Sequence, residues 1–161
     1  MIDGRGGFDE LFYLWDSGHG ISANLALGIV RDGFGGRDRV TSIESVVGTY
    51  EADRFVDTVG AQRFDGNGGN DFFSLSGGND TVTGGDGADT FKFNGRAFGT
   101  DRITDFGSDE GDRIHLTGAA GFGALTITEQ GANQVISFGT SKIVLVGTAG
   151  LALDAGDFIF G

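Results

Sequence analysis

The sequence predicts an all-β chain wound as a coil of short parallel strands and closed at its C-terminal end by a small β cap. Three observations carry that expectation. A carboxylate or amide, one spacer and a large apolar residue recur every nine residues from Glu44 to Phe91. The turns between are so glycine-rich that Gly supplies 32 of 161 residues, while Pro is absent. After Leu116 the period stops, and longer apolar runs follow.

The first column of the repeat holds Glu44, Asp53, Gln62, Asp71, Asp80 and Asp89; the second holds Val46, Phe55, Phe64, Phe73, Val82 and Phe91. A nine-residue period fits no helix face. It fits a six-residue turn plus a three-residue strand. Side chains alternate faces along a strand, so each middle residue points inward and the second column becomes a continuous apolar ladder. Glycine allows the left-handed conformations that such a turn needs. The chain must go out and return, so one coil takes two repeats and same-side turns lie 18 residues apart. Asp53, Asp71 and Asp89 then share one side, and Glu44, Gln62 and Asp80 the other.

Stacked strands sit about 4.8 Å apart. Carboxylates stacked at that pitch repel, and a divalent cation between them removes the repulsion. Turn carbonyls complete an all-oxygen shell, and a flexible cage of about six to eight oxygens suits Ca²⁺ better than Mg²⁺.

Composition narrows the classes further. A net charge of −12 and a pI of about 4.3 leave no overall basic surface for nucleic acid. Without Cys there is neither a disulfide framework nor a thiolate metal site. No apolar run is long enough to span a membrane. The opening "MIDGRGGFDE" has no Sec-type leader pattern and reads as the start of a piece cut from a longer chain. Phosphate cradles need a helix after the glycines, whereas "TFKF" is strand-forming. "DGNGGND" fails as an EF-hand because Gly69 and Asn70 stand where an oxygen ligand and the glycine are needed. His19 and His115 read as surface or packing residues, Tyr13 and Trp15 as core, and Lys92 and Arg96 as solvated charge balance. No catalytic set emerges, so the chain reads as a non-enzymatic module.

"GGDGADTFK" (84–92) matches G-G-x-G-x-D-x-U-x, where U is a large apolar residue, at every position. The chain therefore resembles the RTX (repeats-in-toxin) nonapeptide family, whose repeat is a known Ca²⁺-binding parallel β-helix. "IDGRGGFDELFY" resembles a first repeat with Arg5 in place of a glycine. "GISANLALG", "SIESVVGTYEADRFV" and "GTDRITDFGSDEGDRIHLTG" resemble flanking segments of secreted members. "ITEQGANQVISFG" and the final "DFIFG" resemble their C-terminal region, which carries the type I export signal.

The resemblance implies a right-handed parallel β-roll over residues 1–116 and a C-terminal β cap with the secretion-signal region over 117–161. It implies several Ca²⁺ ions. One would be held by Asn67, Gly69 and Asp71 with Gly84, Asp86 and Asp89. A second would use Thr49, Glu51 and Asp53 with Gly66, Gly68 and Asp71. Opposite these, Gln62 replaces Asp, so a site with Leu75, Gly77 and Asp80 would be weak or empty. Asp80, with Ser76 and Gly78, pairs instead with Asp101, and Asp112 stacks on Asp89. The implied setting is extracellular: a module of a larger protein exported by the type I apparatus of a Gram-negative bacterium, folding on Ca²⁺ and supporting an upstream domain. A carbohydrate-binding module of an alginate-modifying or other polysaccharide-active enzyme, or the C-terminal part of an RTX protease or lipase, is the alternative. A basic or aromatic exposed stripe would mark a carbohydrate-binding surface, and the sequence shows only scattered Arg.

Residues 14–43 do not keep the period. Ile21, Ala23, Leu25 and Leu27 alternate and predict one longer strand; "DGFGGRDRV" is a loop or a degenerate repeat. "ALTITE", "QVISFG" and "KIVLVG" predict three ordinary strands, and "LDAGDFIF" a helical turn followed by a last strand.

Overall fold

The structure is a computed structural model that describes residues 1–14 and 18–161. In chain order the strands are β1 (Ile2–Asp3), β2 (Glu10–Phe12), β3 (Ser22–Asn24), β4 (Ile29–Arg31), β5 (Arg37–Thr41) and β6 (Ser45–Val47). Then come β7 (Arg54–Val56), β8 (Arg63–Asp65), β9 (Phe72–Leu75), β10 (Thr81–Thr83), β11 (Thr90–Phe93), β12 (Thr100–Ile103) and β13 (Arg113–Leu116). The C-terminal part adds β14 (Thr126–Gln130), β15 (Asn133–Phe138), β16 (Ser141–Leu145) and β17 (Phe158–Phe160).

Each nonapeptide gives one short strand, and successive strands go alternately to two sheets. One sheet runs β1-β5-β4-β3-β7-β9-β11-β13-β17, the other β14-β15-β16-β12-β10-β8-β6-β2. Within the repeats every pairing is parallel, and it aligns the apolar column as the period requires. Phe55 pairs with Phe73 and Phe73 with Phe91 in the first sheet; Val46 pairs with Phe64 and Phe64 with Val82 in the second. These middle residues are fully buried. Phe55, Phe73 and Phe91 stack nearly parallel, with centroids 4.9 and 5.2 Å apart. Ile103 and Ile114 continue the two ladders beyond Val82 and Phe91. The chain is an all-β parallel β-roll.

The longer strand expected over residues 21–27 is not formed. The strand ends at Asn24, whose side-chain oxygen accepts the Leu27 N–H at 2.9 Å, and Leu25 O accepts the Gly28 N–H at 3.1 Å. Gly28 takes the left-handed conformation, φ 63°, and the chain turns back. Leu27 points into solvent, and β3, β4 and β5 form an antiparallel meander that joins the first sheet. "DGFGGRDRV" is the β4–β5 turn with its returning strand.

The C-terminal strands extend the same two sheets. β14, β15 and β16 are an antiparallel meander whose last strand runs parallel to β12, with Ile103 against Leu145. β17 lies parallel to β13, with Ile114 against Phe158. A short 3₁₀ turn, Ala155–Asp157, precedes it, as the sequence suggested. Arg96 is more than a solvated charge: its guanidinium donates to Gly118 O at 3.2 Å and lies 5.0 Å from the Phe138 ring centroid, tying cap to roll. Tyr13 packs against the core, whereas Trp15 lies outside the described residues.

Candidate metal sites

Each strand from β7 to β11 is entered through a six-residue turn that ends on the first-column residue. The turns stack on one another, and the Asp side chains join them. Asp71 Oδ1 accepts the Asp53 N–H at 2.7 Å, Asp89 Oδ1 accepts the Asp71 N–H at 2.8 Å, and Asp112 Oδ1 accepts the Asp89 N–H at 2.8 Å. On the opposite side Asp80 Oδ1 accepts from Gln62 N at 2.7 Å and Asp101 Oδ1 from Asp80 N at 2.8 Å. One oxygen of each carboxylate thus staples its coil to the one before.

The second oxygen is left over. Oδ2 of Asp71, Asp80, Asp89 and Asp101 is buried without a hydrogen-bond partner. An uncompensated buried carboxylate oxygen is among the most costly groups a protein can hold. Burial, with neighbouring carboxylates adding to it, pushes Asp71 from an ordinary value of 3.8 up to about 8. Burial also lifts Asp80, Asp89 and Asp101 to about 7 each. Asp112 is raised for the same first reason.

The leftover oxygen of Asp71 faces a built space. A Cβ placed on Gly66 would overlap Asp71 Oδ2 and come within 2.5 Å of the Gly84 carbonyl oxygen in the next coil. Glycine therefore keeps open a gap lined by a carboxylate oxygen and a carbonyl oxygen from two successive turns. Those turns are in register, with Gly68 bridged to Asp86 and Asn67 O accepting the Asp86 N–H at 3.0 Å. Asn67 holds φ 67°, a left-handed position that Arg5 shares in the first turn. The gap between turns 66–71 and 84–89 thus brings together Asn67, Gly69 and Asp71 with Gly84, Asp86 and Asp89. Its donor set is oxygen only, with an orphaned acceptor, and it fits a hard divalent cation.

The second expected set, Thr49, Glu51 and Asp53 with Gly66, Gly68 and Asp71, falls on turns 48–53 and 66–71, which stack through the Asp53 N–H to Asp71 Oδ1 bond. Here Asp53 is better satisfied: it accepts from Ile21 N at 2.6 Å, Thr49 N at 2.6 Å and Thr49 Oγ1 at 3.0 Å. The turns holding Ser76, Gly78 and Asp80 and then Asp101 also stack, since a Cβ on Gly99 would overlap the Gly78 carbonyl. In that second turn the Arg96 carbonyl accepts Thr140 and Ser141 hydroxyls from the cap. Among the described residues no three acidic or imidazole side chains converge on one point, so any cage must take most of its oxygens from the backbone.

Two acidic residues outside the repeat columns take part. Asp57 accepts Ser76 N at 2.6 Å, Ser76 Oγ at 2.7 Å and Gly77 N at 3.2 Å. Asp105 accepts Gly84 N at 2.9 Å and Gly85 N at 2.8 Å. The sequence signal was present: "DRFVD" (53–57) and "DRITD" (101–105) each repeat Asp two residues after the inward apolar residue.

No curated protein matches the chain significantly. Among solved structures it is similar to the AlgE6R3 subunit of the mannuronan C5-epimerase from Azotobacter vinelandii, at 27% identity and TM-score 0.37, over 68% of this chain and 79% of that one. It is also similar to the extracellular lipase LipA from Serratia marcescens, at 19% identity and TM-score 0.47, over 99% of this chain but 34% of the lipase. The AlgE6R2 subunit of the same epimerase matches at 23% identity and TM-score 0.30, over 71% of this chain and 91% of that one. The family match falls on the stacked turns described above: residues 47–91, from the end of β6 into β11, match the model of the RTX calcium-binding nonapeptide repeat in four copies.

Proposed function

We propose that this chain is a Ca²⁺-triggered folding module of a larger secreted protein. The carrying observation is the buried, unpartnered Asp71 Oδ2 facing the Gly84 carbonyl across the space that Gly66 leaves open. Metal that binds only the folded roll adds its binding free energy to stability. Carboxylates stacked in a chain of charge −12 oppose compaction without it. The holding residues are those of the two gaps, with Ser76, Gly78, Asp80 and Asp101 forming a further, poorer cage. Residues 1–116 form the roll; residues 117–161 cap it and carry the export address. An affinity on the order of 10⁻⁴–10⁻³ M, the range of extracellular modules, would keep the chain unfolded in a cytosol and fold it outside. Circular dichroism tests the reading: a β spectrum is expected in millimolar Ca²⁺ and a largely disordered one in chelator. An unchanged β spectrum after verified metal removal defeats it, and a folding midpoint below about a micromolar defeats the export logic.

A second reading, a module that binds an acidic polysaccharide, is favoured by one observation. Four Arg residues that look scattered in the sequence line up on the outer face of the nine-stranded sheet. Arg37, Arg31, Ser22, Arg54, Phe72, Thr90 and Arg113 form one cross-strand row. The row crosses seven strands, about 29 Å at ordinary strand spacing. Guanidinium forks suit carboxylates, and the hydroxyls between them suit sugar hydroxyls. Arg54 covers the Phe72 ring at 4.4 Å, so the row offers no open stacking platform for nucleic-acid bases. Replacing Arg31, Arg54 and Arg113 by Ser should abolish salt-sensitive retention on a polyuronate matrix, with Arg63→Ser/Arg102→Ser on the other sheet as control. Equal retention of all three proteins defeats this reading.

A further inference from the structure

On the side that feeds the nine-stranded sheet, the first place of each turn, five residues before its Asp, is Gly48, Gly66 or Gly84. The same place five residues before Gln62 is Asp57. Where glycine leaves a gap open, a buried carboxylate fills it: Asp57 is 1% exposed. Its oxygens are taken by Ser76 N, Ser76 Oγ and Gly77 N of the next turn on that side. Gln62 brings no charge; its Oε1 accepts Thr58 N at 3.1 Å, and its own N–H goes to Asp80. This gap presents hydrogen-bond donors to an anion. The metal-competent gaps present oxygen acceptors to a cation. The polarity is reversed, and Ca²⁺ does not fit here.

We propose that Asp57 is a built-in anionic clasp that closes the gap between turns 57–62 and 75–80 without metal and sets where calcium can enter on that side of the roll. The clasp supplies the negative charge from the chain itself and pairs it with backbone N–H groups, as a capping carboxylate does at a helix start. Asp105 repeats the device on the other side, where it holds Gly84 N and Gly85 N beyond the last glycine-lined gap. One clasp thus lies on each side of the roll. The inference rests on the calcium reading only where it counts ions.

The test uses the full chain, with Ca²⁺ stoichiometry from titration calorimetry and amide exchange at Ser76 and Gly77. Asp57→Asn keeps the size but loses the charge. It should leave the number of bound ions unchanged, speed exchange at both amides and raise the Ca²⁺ midpoint of folding. Asp57→Gly with Gln62→Asp restores the Gly-x₄-Asp pattern and should bind one ion more than wild type. Gln62→Asp alone should gain none, because the clasp still fills the gap. Loss of an ion in Asp57→Asn would make Asp57 a calcium ligand and overturn the proposal, as would a gained ion in Gln62→Asp alone. A folded double variant without the extra ion also overturns it. Should the double variant not fold, the Asp57→Asn and Gln62→Asp results decide. A wild type that binds no Ca²⁺ defeats the calcium reading instead; the clasp then stands or falls on whether Asp57→Asn speeds amide exchange.

Discussion

Asp71 Oδ1 accepts the backbone N–H of Asp53 at 2.7 Å, across 18 residues of sequence, while its Oδ2 has no partner. One carboxylate thus does two separable things, stapling the coil behind and facing the gap ahead. Asp71→Asn can retain the staple through its amide oxygen but loses the charge. It should lower Ca²⁺ stoichiometry or weaken the apparent affinity by on the order of tenfold or more, about 1.4 kcal/mol per decade. Asp80→Asn should do less, because Asp80 faces Gln62 on one side. Titration calorimetry compares the two, and equal effects would mean that the sides of the roll carry equivalent sites.

Gly66→Ala tests the gap itself. Gly66 does not require a left-handed backbone, so alanine is tolerated there conformationally and the effect is steric. The added methyl would overlap Asp71 Oδ2 and come within 2.5 Å of the Gly84 carbonyl oxygen, so the Asp71 carboxylate or the next turn must move away. Loss of one bound ion is expected. Gly77→Ala is the control, since its nearest neighbour, Val59 Cα, lies 3.6 Å from the new methyl, and it should bind as wild type does.

Phe73 stacks between Phe55 and Phe91 with interplanar angles of 5° and 6°. Phe73→Ala removes the middle of the ladder and should cost about 3–5 kcal/mol. Because its side chain offers no oxygen ligand, the number of ions at saturation should stay constant while the Ca²⁺ midpoint of folding rises. A fall in stoichiometry at saturating Ca²⁺ would show that the ladder positions the turns as well as stabilising them.

The roll was legible because every coil solves the same problem with the same nine residues, so Asp71 and Phe73 announce Asp89 and Phe91. The meander of β3 to β5 was not. Ile21, Ala23, Leu25 and Leu27 alternate as a strand would, and the Asn24 side chain capping Leu27 N, with the left-handed turn at Gly28, breaks the run. The arginine row was invisible because its register belongs to the coil: Arg31 meets Arg54 only through Ser22. Asp57 was passed over because an Asp in a glycine's place reads as a decayed repeat. Its partners, Ser76 and Gly77, become neighbours only when the coils stack.

The raised carboxylates give the metal-free roll an inverted pH dependence. Burial lifts Asp71 to about 8 and Asp80, Asp89 and Asp101 to about 7, against an ordinary 3.8. The folded chain therefore holds protons that the unfolded chain has released, and its stability falls as pH rises wherever that difference exists. The contribution is fully present below about pH 4 and is lost as pH climbs through the folded values near 7 to 8. In chelator, more β structure and a higher melting temperature are expected at about pH 5 than at about pH 8. Calcium reverses the order, because it replaces those protons: its apparent affinity should rise over the same interval, with protons released on binding. Calorimetry in buffers of different ionisation enthalpy counts the released protons. A metal-free melting temperature that rises from pH 5 to pH 8 would show that these aspartates are ionised in the apo fold and held by something other than calcium.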